Sequence, residues 1–454
     1  MTRMDSTESY RFNGSMARTP WLYRQWMVAG NPAAFFDHLA RRFGDFVHYR
    51  GLFNFYLINH PSLVKQLLQE THKSFDKKTV IYNRFRTAFG NGLVVSEDDH
   101  WKRQRKLIQP MFGHSSIARF FPHMVDATAE MINRWELKCR AGRVFDVAGE
   151  MNRITLEIVG RTLFHDSFGQ AADDIQRWTH TIDRYSAKAP IPIIRDSWFP
   201  SRRNRRLKKT LQEFHSFLLR MIEARRGGGD RDDLLTRFLN VRNPDTGQAM
   251  TDAEIVDEAL GMVIGGHETS ASALTWVWYE LDRNPDIRER VHAEVDRVIA
   301  QRPLTIDLAG QLVYTKMVID ETLRLHPPFW FENRNVKESL ELGGHRLPRG
   351  SIVAFSRYSL HRHPRFWREP DRFDPERFQP DHEENQRSSC AYVPFGGGPR
   401  ICIGIHFATI ELLVIVAMIT RQYRLVTALE NRHEMSAALT MTPRYGHLVR
   451  LEQR

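Results

Sequence analysis

Residues 395–404 read FGGGPRICIG, a glycine-rich stretch that contains one cysteine and runs into an apolar segment. The apolar pattern after it predicts a helix over about Ile405 to Gln422. A cysteine just before a helix N-terminus, here Cys402, receives backbone N–H groups and the positive end of the helix dipole, which favour its thiolate form. The glycines let the chain approach a flat ring closely, and Arg400 supplies a cation for an acidic group. These residues predict a metal-binding thiolate; a core cysteine in a glycine turn and a phosphate loop are the alternatives.

The spacing Phe-x-x-Gly-x-Arg-x-Cys-x-Gly in this stretch resembles the haem-binding signature of the cytochrome P-450 family at every signature position. The resemblance implies haem b (iron protoporphyrin IX), with Cys402 as the proximal iron ligand. It also implies that Phe395 lies beside the ring and that Arg400 pairs with a haem propionate. The implied fold is mainly α with a small β part, a triangular helical prism around one haem. Cys139 and Cys390 match no functional position, and we interpret them as structural or exposed.

A long helix is predicted in the middle of the chain. Thr251 and Glu254 have the spacing of a capping box, and the apolar pattern continues to about Asn284, just before Pro285. Because the middle of this segment is apolar nearly all round, we expect the helix to cross the protein interior.

Residues 265–270 of this helix read GGHETS. Gly265 lies one turn before Thr269 and leaves room for a ligand, and the Thr269 hydroxyl can bond the carbonyl of residue 265. A helix-packing glycine pair is the alternative that spacing alone leaves open. The segment resembles the family's Ala/Gly-Gly-x-Glu/Asp-Thr motif, which implies catalytic roles for Glu268 and Thr269 in delivering protons during dioxygen activation. His267 is not expected to be a ligand.

Glu321 and Arg324 stand three residues apart, so they share one helix face and can pair. Such pairs are common on exposed helices and indicate little alone. Together with Arg377 in the stretch PERF, they resemble the family's Glu-x-x-Arg and Pro-Glu-Arg-Phe elements. The resemblance implies a buried Glu-Arg-Arg network with a structural role.

Trp101 and Arg105 lie one helical turn apart, which places an indole N–H and a guanidinium on one face. A solvated basic helix is the alternative from these residues alone. They resemble the family's Trp-x-x-x-Arg, whose members bind haem propionates, and Arg334 corresponds to the arginine that follows the helix-ending prolines. The resemblance therefore implies that Trp101, Arg105 and Arg334 bind the cofactor.

The substrate site is harder to locate from the sequence. We expect Gly265, Phe329 and Phe331 to contact the substrate, although phenylalanines at such places are also ordinary core residues. Glu332 and Asn333 make the following stretch polar, which hints at a substrate with a polar group or a cation.

Composition sets broad limits on the class of protein. The chain has 454 residues, of which 42% are hydrophobic and 26% are charged, as in an ordinary globular protein. Its three cysteines are too few for a disulfide framework, and the first thirty residues contain no long apolar run, so we expect a soluble, cytoplasmic monomer without a membrane anchor. We expect an N-terminal extension over 1–30 and a single haem-thiolate monooxygenase domain over 31–454.

The resemblance implies a monooxygenase, an oxidoreductase that inserts one oxygen atom from O2 into an apolar or amphiphilic small organic substrate by hydroxylation or epoxidation. Electrons would come from a separate ferredoxin or flavodoxin and its reductase, because no dinucleotide-binding fingerprint is present. The net charge of +11 favours an acidic donor docking near Lys102, Arg103 and Lys106 rather than nucleic acid. The alternatives are oxidative coupling or rearrangement, a peroxide-driven haem enzyme, which would not need Glu268 and Thr269, and a non-catalytic haem sensor.

Overall fold

The computed structural model describes residues 15–17, 31–50, 54–164, 168–169, 171–186, 201–227, 233–243, 246–386 and 388–454. The chain is 62% helical and has small sheets. The predicted fold class, mainly α with a small β part, is therefore confirmed.

The secondary structure follows the chain in this order. The helices are α1 (Pro32–Phe43), α2 (Pro61–Lys65), α3 (Val80–Phe89), α4 (Asp98–Ile108), α5 (His114–Arg140), α6 (Val147–Leu163), α7 (Ala171–Ser186), α8 (Arg202–Gly227), α9 (Leu234–Asn240), α10 (Asp252–Arg283), α11 (Pro285–Ile299), α12 (Ile306–Gly310), α13 (Val313–Leu325), α14 (Arg357–Leu360) and α15 (Ile405–Gln422). The strands are β1 (Ser15–Ala17), β2 (Phe46–Arg50), β3 (Asn54–Ile58), β4 (Phe75–Asp76), β5 (Phe145–Asp146), β6 (Phe331–Val336), β7 (Leu340–Leu342), β8 (His345–Leu347), β9 (Ile352–Ser356), β10 (Tyr423–Thr427), β11 (Met435–Ala437), β12 (Met441–Pro443) and β13 (Leu448–Gln453).

Internal contacts divide the chain into two compact units. Unit 1 comprises Met1–Tyr82, Trp330–Asp371 and Gln386–Cys402, and unit 2 comprises Asn83–Phe329, Arg372–Asn385 and Ile403–Arg454. The boundary expected between residues 30 and 31 does not coincide with this division, and the single catalytic domain over 31–454 stays a prediction.

Unit 1 contains a six-stranded sheet with the order β1-β2-β3-β9-β6-β4. The strand-forming residues 46–50 and 54–58 on either side of Gly51 predict a hairpin, and β2 is antiparallel to β3, with Phe46 opposite Ile58. The sequence did not predict β6, because this strand reads FENRNV and carries polar residues at positions that the structure buries. Buried polar residues are tolerated only when they form hydrogen bonds or ion pairs. Glu332 and Asn333 of β6 both do so.

Unit 2 contains the long helix α10, which packs along α6. Its capping box forms as predicted: the Thr251 hydroxyl accepts from the Glu254 amide at 3.3 Å, and the Glu254 carboxylate accepts from the Thr251 amide at 2.8 Å. A Cβ on Gly266 would lie 3.1 Å from Cγ2 of Val159 in α6. Gly266 therefore allows the close approach of these two helices.

The helix α15 begins and ends where the apolar pattern predicted. Among the described residues it is the one helix long and apolar enough to cross a membrane, with a mean hydropathy of 1.5, and 56% of it is buried inside the protein. A buried core helix meets the same criteria, so this finding is weak evidence for a membrane span.

Apolar residues recur at helical spacing from about Ser115 to Gly169, which predicts helical structure there. The structure has the helices α5 and α6 in this stretch, with the short strand β5 between them. Helix α5 continues through Pro122. Pro190, Pro192 and Pro200 predict a surface loop between two helices, and these three residues lie outside the described residues.

Candidate active site

The cysteine loop of unit 1 presents Cys402 at the surface of that unit, whereas Cys390 is buried and Cys139 is half-buried in unit 2. The Cys402 amide donates to the carbonyl of Phe395 at 2.9 Å, and this bond closes the loop. Phe395 and Arg400 are both half-buried members of the same loop. The structure thus brings these three predicted residues together in one short segment.

Two glycines hold the loop in a conformation that other residues rarely adopt. Gly396 has φ +78° and Gly398 has φ +64°. A Cβ on Gly398 would lie 1.9 Å from the carbonyl oxygen of Leu68. Both the left-handed backbone and the contact with Leu68 therefore require glycine at position 398.

Arg334 lies in a buried ionic cluster of unit 1, which we call the Glu332 cluster and define as Glu332, Arg334 and Arg357. The carboxylate of Glu332 pairs through one oxygen with Arg334 and through the other with Arg357. Burial alone would raise the pKa of Glu332, but the positive charges of Arg334, Arg357 and Lys77 lower it to about 2. Arg334 also donates to the hydroxyl of Tyr82 at 3.4 Å.

The polar residues before Arg334 therefore have partners within the protein. Asn333 accepts a hydrogen bond from the Thr79 hydroxyl at 2.8 Å, and Glu332 is occupied by its two arginines. Their polarity is thus accounted for inside the protein and gives no support to the hint of a substrate with a polar group or a cation. Phe331, expected to contact substrate, stacks on Phe36 with ring centroids 4.8 Å apart.

The helix α10 of unit 2 carries the predicted proton-delivery residues. The hydroxyl of Thr269 donates to the carbonyl of Gly265 at 2.8 Å, as the sequence indicated, and the helix stays α-helical there. A Cβ on Gly265 would meet no heavy atom within 4 Å in the described part of the chain. The two neighbouring glycines thus differ: Gly266 permits helix packing, and Gly265 borders open space.

Glu268 is half-buried, and its carboxylate oxygen Oε2 is shielded from solvent without a hydrogen-bond partner among the described residues. Burial raises the pKa of Glu268 well above its ordinary value, and the nearby carboxyl of Asp183 raises it further. Burial and the neighbouring carboxyl thus both favour the protonated form of Glu268. The neighbouring His267 is buried, bonds the carbonyl of Val263 at 2.6 Å, and its pKa falls to about 4 because of burial.

Trp101 and Arg105 are both half-buried on α4 in unit 2, one turn apart, and Arg105 donates to Gln109 at 3.0 Å. Between them, Arg103 pairs with Glu254 and is only 23% exposed. Arg103 thus forms an ion pair within the protein, with a residue at the start of α10. Of the three basic residues expected in a docking surface, Lys102 and Lys106 are the exposed ones.

The predicted Glu-Arg-Arg residues meet inside unit 2. Glu321 and Arg324 are fully buried, with Nε of Arg324 2.6 Å from Oε2 of Glu321. Arg377 lies 3.4 Å from the other oxygen of Glu321 and 2.7 Å from Glu384. The sequence did not identify Glu384, since it lies in an irregular stretch seven residues after Arg377. This second carboxylate gives each buried arginine its own counter-charge.

Two buried carboxyl groups of unit 2 were also missed. Glu411 on α15 has no exposed surface, and burial raises its pKa to about 8. Glu258 on α10 accepts from the Leu93 amide at 3.0 Å, and burial raises its pKa to about 7. Both stand among apolar residues on strongly helical segments, where a lone glutamate gives no sequence signal of its burial.

Comparison with solved structures defines the class of fold. The chain matches the crystal structure of the haem domain of cytochrome P450DA with a TM-score of 0.85 and 25% identity, over 97% of each chain. The cytochrome P-450 family model matches residues 16–449. The chain therefore belongs to the cytochrome P-450 family, a class of haem-thiolate oxidoreductases.

Several curated relatives cover most of the chain. It is 35% identical over 386 residues to the cyclooctat-9-en-7-ol 5-monooxygenase of Streptomyces melanosporofaciens, which covers 84% of this chain and 83% of that protein. It is 34% identical to the cyclooctatin synthase of the same organism, over 92% of this chain and 91% of that protein. It is 33% identical to the pentalenene oxygenase of Streptomyces avermitilis, over 89% of both chains.

Proposed function

We propose that this protein is a haem b-dependent monooxygenase that inserts one oxygen atom from O2 into a ring-containing alkene or alkenol of largely hydrocarbon character. The observation that carries the proposal is the exposed Cys402 on a conformationally restricted glycine loop, two residues before the N-cap of α15. An exposed cysteine at a helix N-terminus has the environment that favours a thiolate.

The donor set fits a haem. Cys402 would ligate the iron, and Phe395 would shield the sulfur. Arg400, Arg334, Trp101 and Arg105 would donate to the propionates, since all four carry N–H donors that suit carboxylates. When bound, the haem supplies dioxygen activation and transfer of one oxygen atom to carbon. Glu321, Arg324 and Arg377 would stabilise the fold that holds it.

Glu268 and Thr269 would control proton delivery. Because burial raises the pKa of the Glu268 carboxyl, its protonated form is favoured, and that form would act as a proton donor. The Thr269 hydroxyl already donates its proton to the Gly265 carbonyl, so its oxygen lone pairs remain available to accept a bond from a water or a protonated group. A peroxide-driven enzyme would need neither residue, and their arrangement favours the O2-dependent reaction.

The substrate class is supported by the relatives named above, whose names specify a carbocyclic alkenol and the hydrocarbon pentalenene. Gly265 would leave room for a bulky ring against α10, and Phe329 and Phe331 would supply apolar contacts. The partnered state of Glu332 and Asn333 removes the reason to expect a cationic substrate.

We further propose a cytoplasmic monomer that receives electrons from a separate acidic ferredoxin or flavodoxin and its reductase. None of the three cysteines, all within the described residues, forms a disulfide, which suits a reducing compartment. Lys102 and Lys106 are exposed cations that would contact the donor. Charge reversal of both should slow reduction at low salt, whereas reversal of the exposed Arg349 on unit 1 should not. An unchanged reduction rate in the double reversal would contradict this docking site.

The function can be tested with the full-length protein, a ferredoxin system and isotope-labelled dioxygen. We expect a carbocyclic alkene or alkenol to be converted to a product that carries one labelled oxygen atom. A product without labelled oxygen would contradict monooxygenation and favour oxidative coupling or rearrangement. Product formation that requires added peroxide and no electron donor would favour the peroxide-driven alternative.

A further inference from the structure

The Glu332 cluster joins two parts of unit 1, strand β6 and the start of helix α14. Glu332, Arg334 and Arg357 are all buried, with exposed fractions of 7%, 6% and 2%. Glu332 and Arg334 lie on β6, and Arg357 begins α14 directly after β9, the strand paired with β6. One carboxylate therefore bridges a guanidinium group on its own strand, β6, and a second one at the start of α14.

Arg357 reaches from this cluster to the base of the cysteine loop. Its Nε donates to the carbonyl of Val393 at 2.7 Å, and the Gly396 amide donates to the same carbonyl at 3.0 Å. The Val393 amide in turn donates to Nε2 of His361 at 3.0 Å. Hydrogen bonds thus hold both the amide and the carbonyl of Val393, which leads into the cysteine loop.

The cluster also packs against the loop itself. A Cβ built on Gly396 would lie 3.4 Å from Nη2 of Arg357 and 3.9 Å from a carboxylate oxygen of Glu332. Gly396 is directly followed by the glycines that turn the chain toward Cys402. The charge of Glu332 therefore lies close to the backbone of the loop at Gly396.

We propose that Glu332 is a positioning residue that fixes the guanidinium groups of Arg334 and Arg357, and thereby sets the conformation of the cysteine loop and the charge beside the bound cofactor. This inference rests on the proposed haem-thiolate function. It assigns a role to a residue that the sequence associated only with substrate polarity.

The physical basis is the low effective dielectric of a buried site, in which an unpaired charge is strongly felt. Without the Glu332 carboxylate, Arg357 and Arg334 keep their charges because guanidinium groups do not lose their protons in proteins. The extra positive charge stabilises the reduced, more negative state of the iron. Loss of the bridging carboxylate should also loosen Arg357 from Val393, and the supporting residues of metal sites typically change metal affinity by about 10- to 100-fold.

The test compares reduction potentials of the full-length holoprotein and its variants. Glu332→Gln keeps the side-chain shape and removes the charge, so the potential should become less negative than that of the wild type, and haem loss should accelerate by about 10-fold or more. Glu341→Gln removes an exposed carboxylate of the same unit and should change neither quantity. The double variant Glu332→Gln/Arg357→Gln restores the charge balance, and its potential should return toward the wild-type value.

An unchanged reduction potential in Glu332→Gln overturns the inference. So does a double variant whose reduction potential is as high as that of Glu332→Gln alone. If Glu332→Gln does not fold, Arg357→Gln supplies the opposite change, and its potential should fall below that of the wild type; an equal or higher value overturns the inference. A wild-type protein without thiolate ligation would instead contradict the proposed function. The carbon monoxide difference spectrum of each protein distinguishes these two failures.

Discussion

The hydroxyl of Thr269 donates to the carbonyl oxygen of Gly265 one turn earlier in α10, at 2.8 Å. Thr275, six residues further along the same helix, makes the same kind of bond to Ala271 at 2.7 Å but is fully buried. Both threonines therefore make the same bond within the helix, but Thr275 is fully buried whereas Thr269 is half-buried. This pair therefore offers a matched test of the catalytic role that we propose for Thr269.

Thr269→Ala should lower product formation per electron consumed, because the hydroxyl that accepts and directs protons is gone. General acid–base contributions of this kind are about 100-fold or more. Product and electron-donor consumption are measured together under the same conditions. Thr275→Ala should lower stability by about 1 kcal/mol and leave the ratio of product to electrons unchanged. Equal effects of the two substitutions on that ratio would contradict a catalytic role for Thr269.

Gly398→Ala should destabilise the cysteine loop, because a Cβ would collide with the carbonyl of Leu68 in a backbone region that favours glycine. We expect the purified variant to contain little haem. Gly310→Ala is the control, since its Cβ would meet no atom within 4 Å in the described part of the chain. Haem content per protein measures the effect. Full haem content in Gly398→Ala would show that the loop conformation described above is not required.

Glu321→Ala should lower the free energy of unfolding by about 3–5 kcal/mol, because it leaves the buried Arg324 without its principal counter-charge. Asp320→Ala on the same helix removes the half-buried partner of the exposed Lys316 and should cost less than about 1 kcal/mol. Denaturant unfolding of the two variants gives the comparison. Similar losses in both would mean that Glu321 does not act as a buried counter-ion.

The raised pKa of Glu411 predicts how the free energy of unfolding depends on pH. Its pKa is about 8 in the folded protein, above the ordinary value of 4.5, so the protonated carboxyl is favoured by folding. The stability linked to this group is fully present below pH 4.5 and is lost as the pH rises through 8, by at most about 1.4 kcal/mol per pH unit. Glu411→Gln should flatten the decline in unfolding free energy between these pH values. Parallel curves for wild type and variant would contradict burial of an ionisable carboxyl here.

The fold could be predicted largely from local patterns. The bounds of the hairpin β2–β3 and of α15, and the capped start of α10, follow from turn residues, apolar periodicity and a capping box. Strand β6 could not be predicted in this way, because its stability depends on pairing between residues distant in sequence. Glu332 looks like a surface residue until Arg357, 25 positions later, is seen to be its partner.

The candidate site was predicted mainly through spacing that resembles a family signature, and the structure adds the partners. Spacing identified Cys402, Thr269 and the Glu321 pair, but it did not indicate that Arg103 is tied to Glu254 or that Glu384 neutralises Arg377. Such contacts join segments far apart in the chain and leave no local pattern. The roles of the predicted cofactor- and substrate-binding residues stay predictions.

Thiolate ligation by Cys402 is tested most directly by the difference spectrum of the reduced, carbon monoxide-bound protein. Thiolate ligation predicts a band at about 450 nm in the wild type and in Cys139→Ser, and its loss in Cys402→Ser. A band at about 420 nm in well-folded wild-type protein would contradict thiolate ligation. So would a band at about 450 nm that survives in Cys402→Ser.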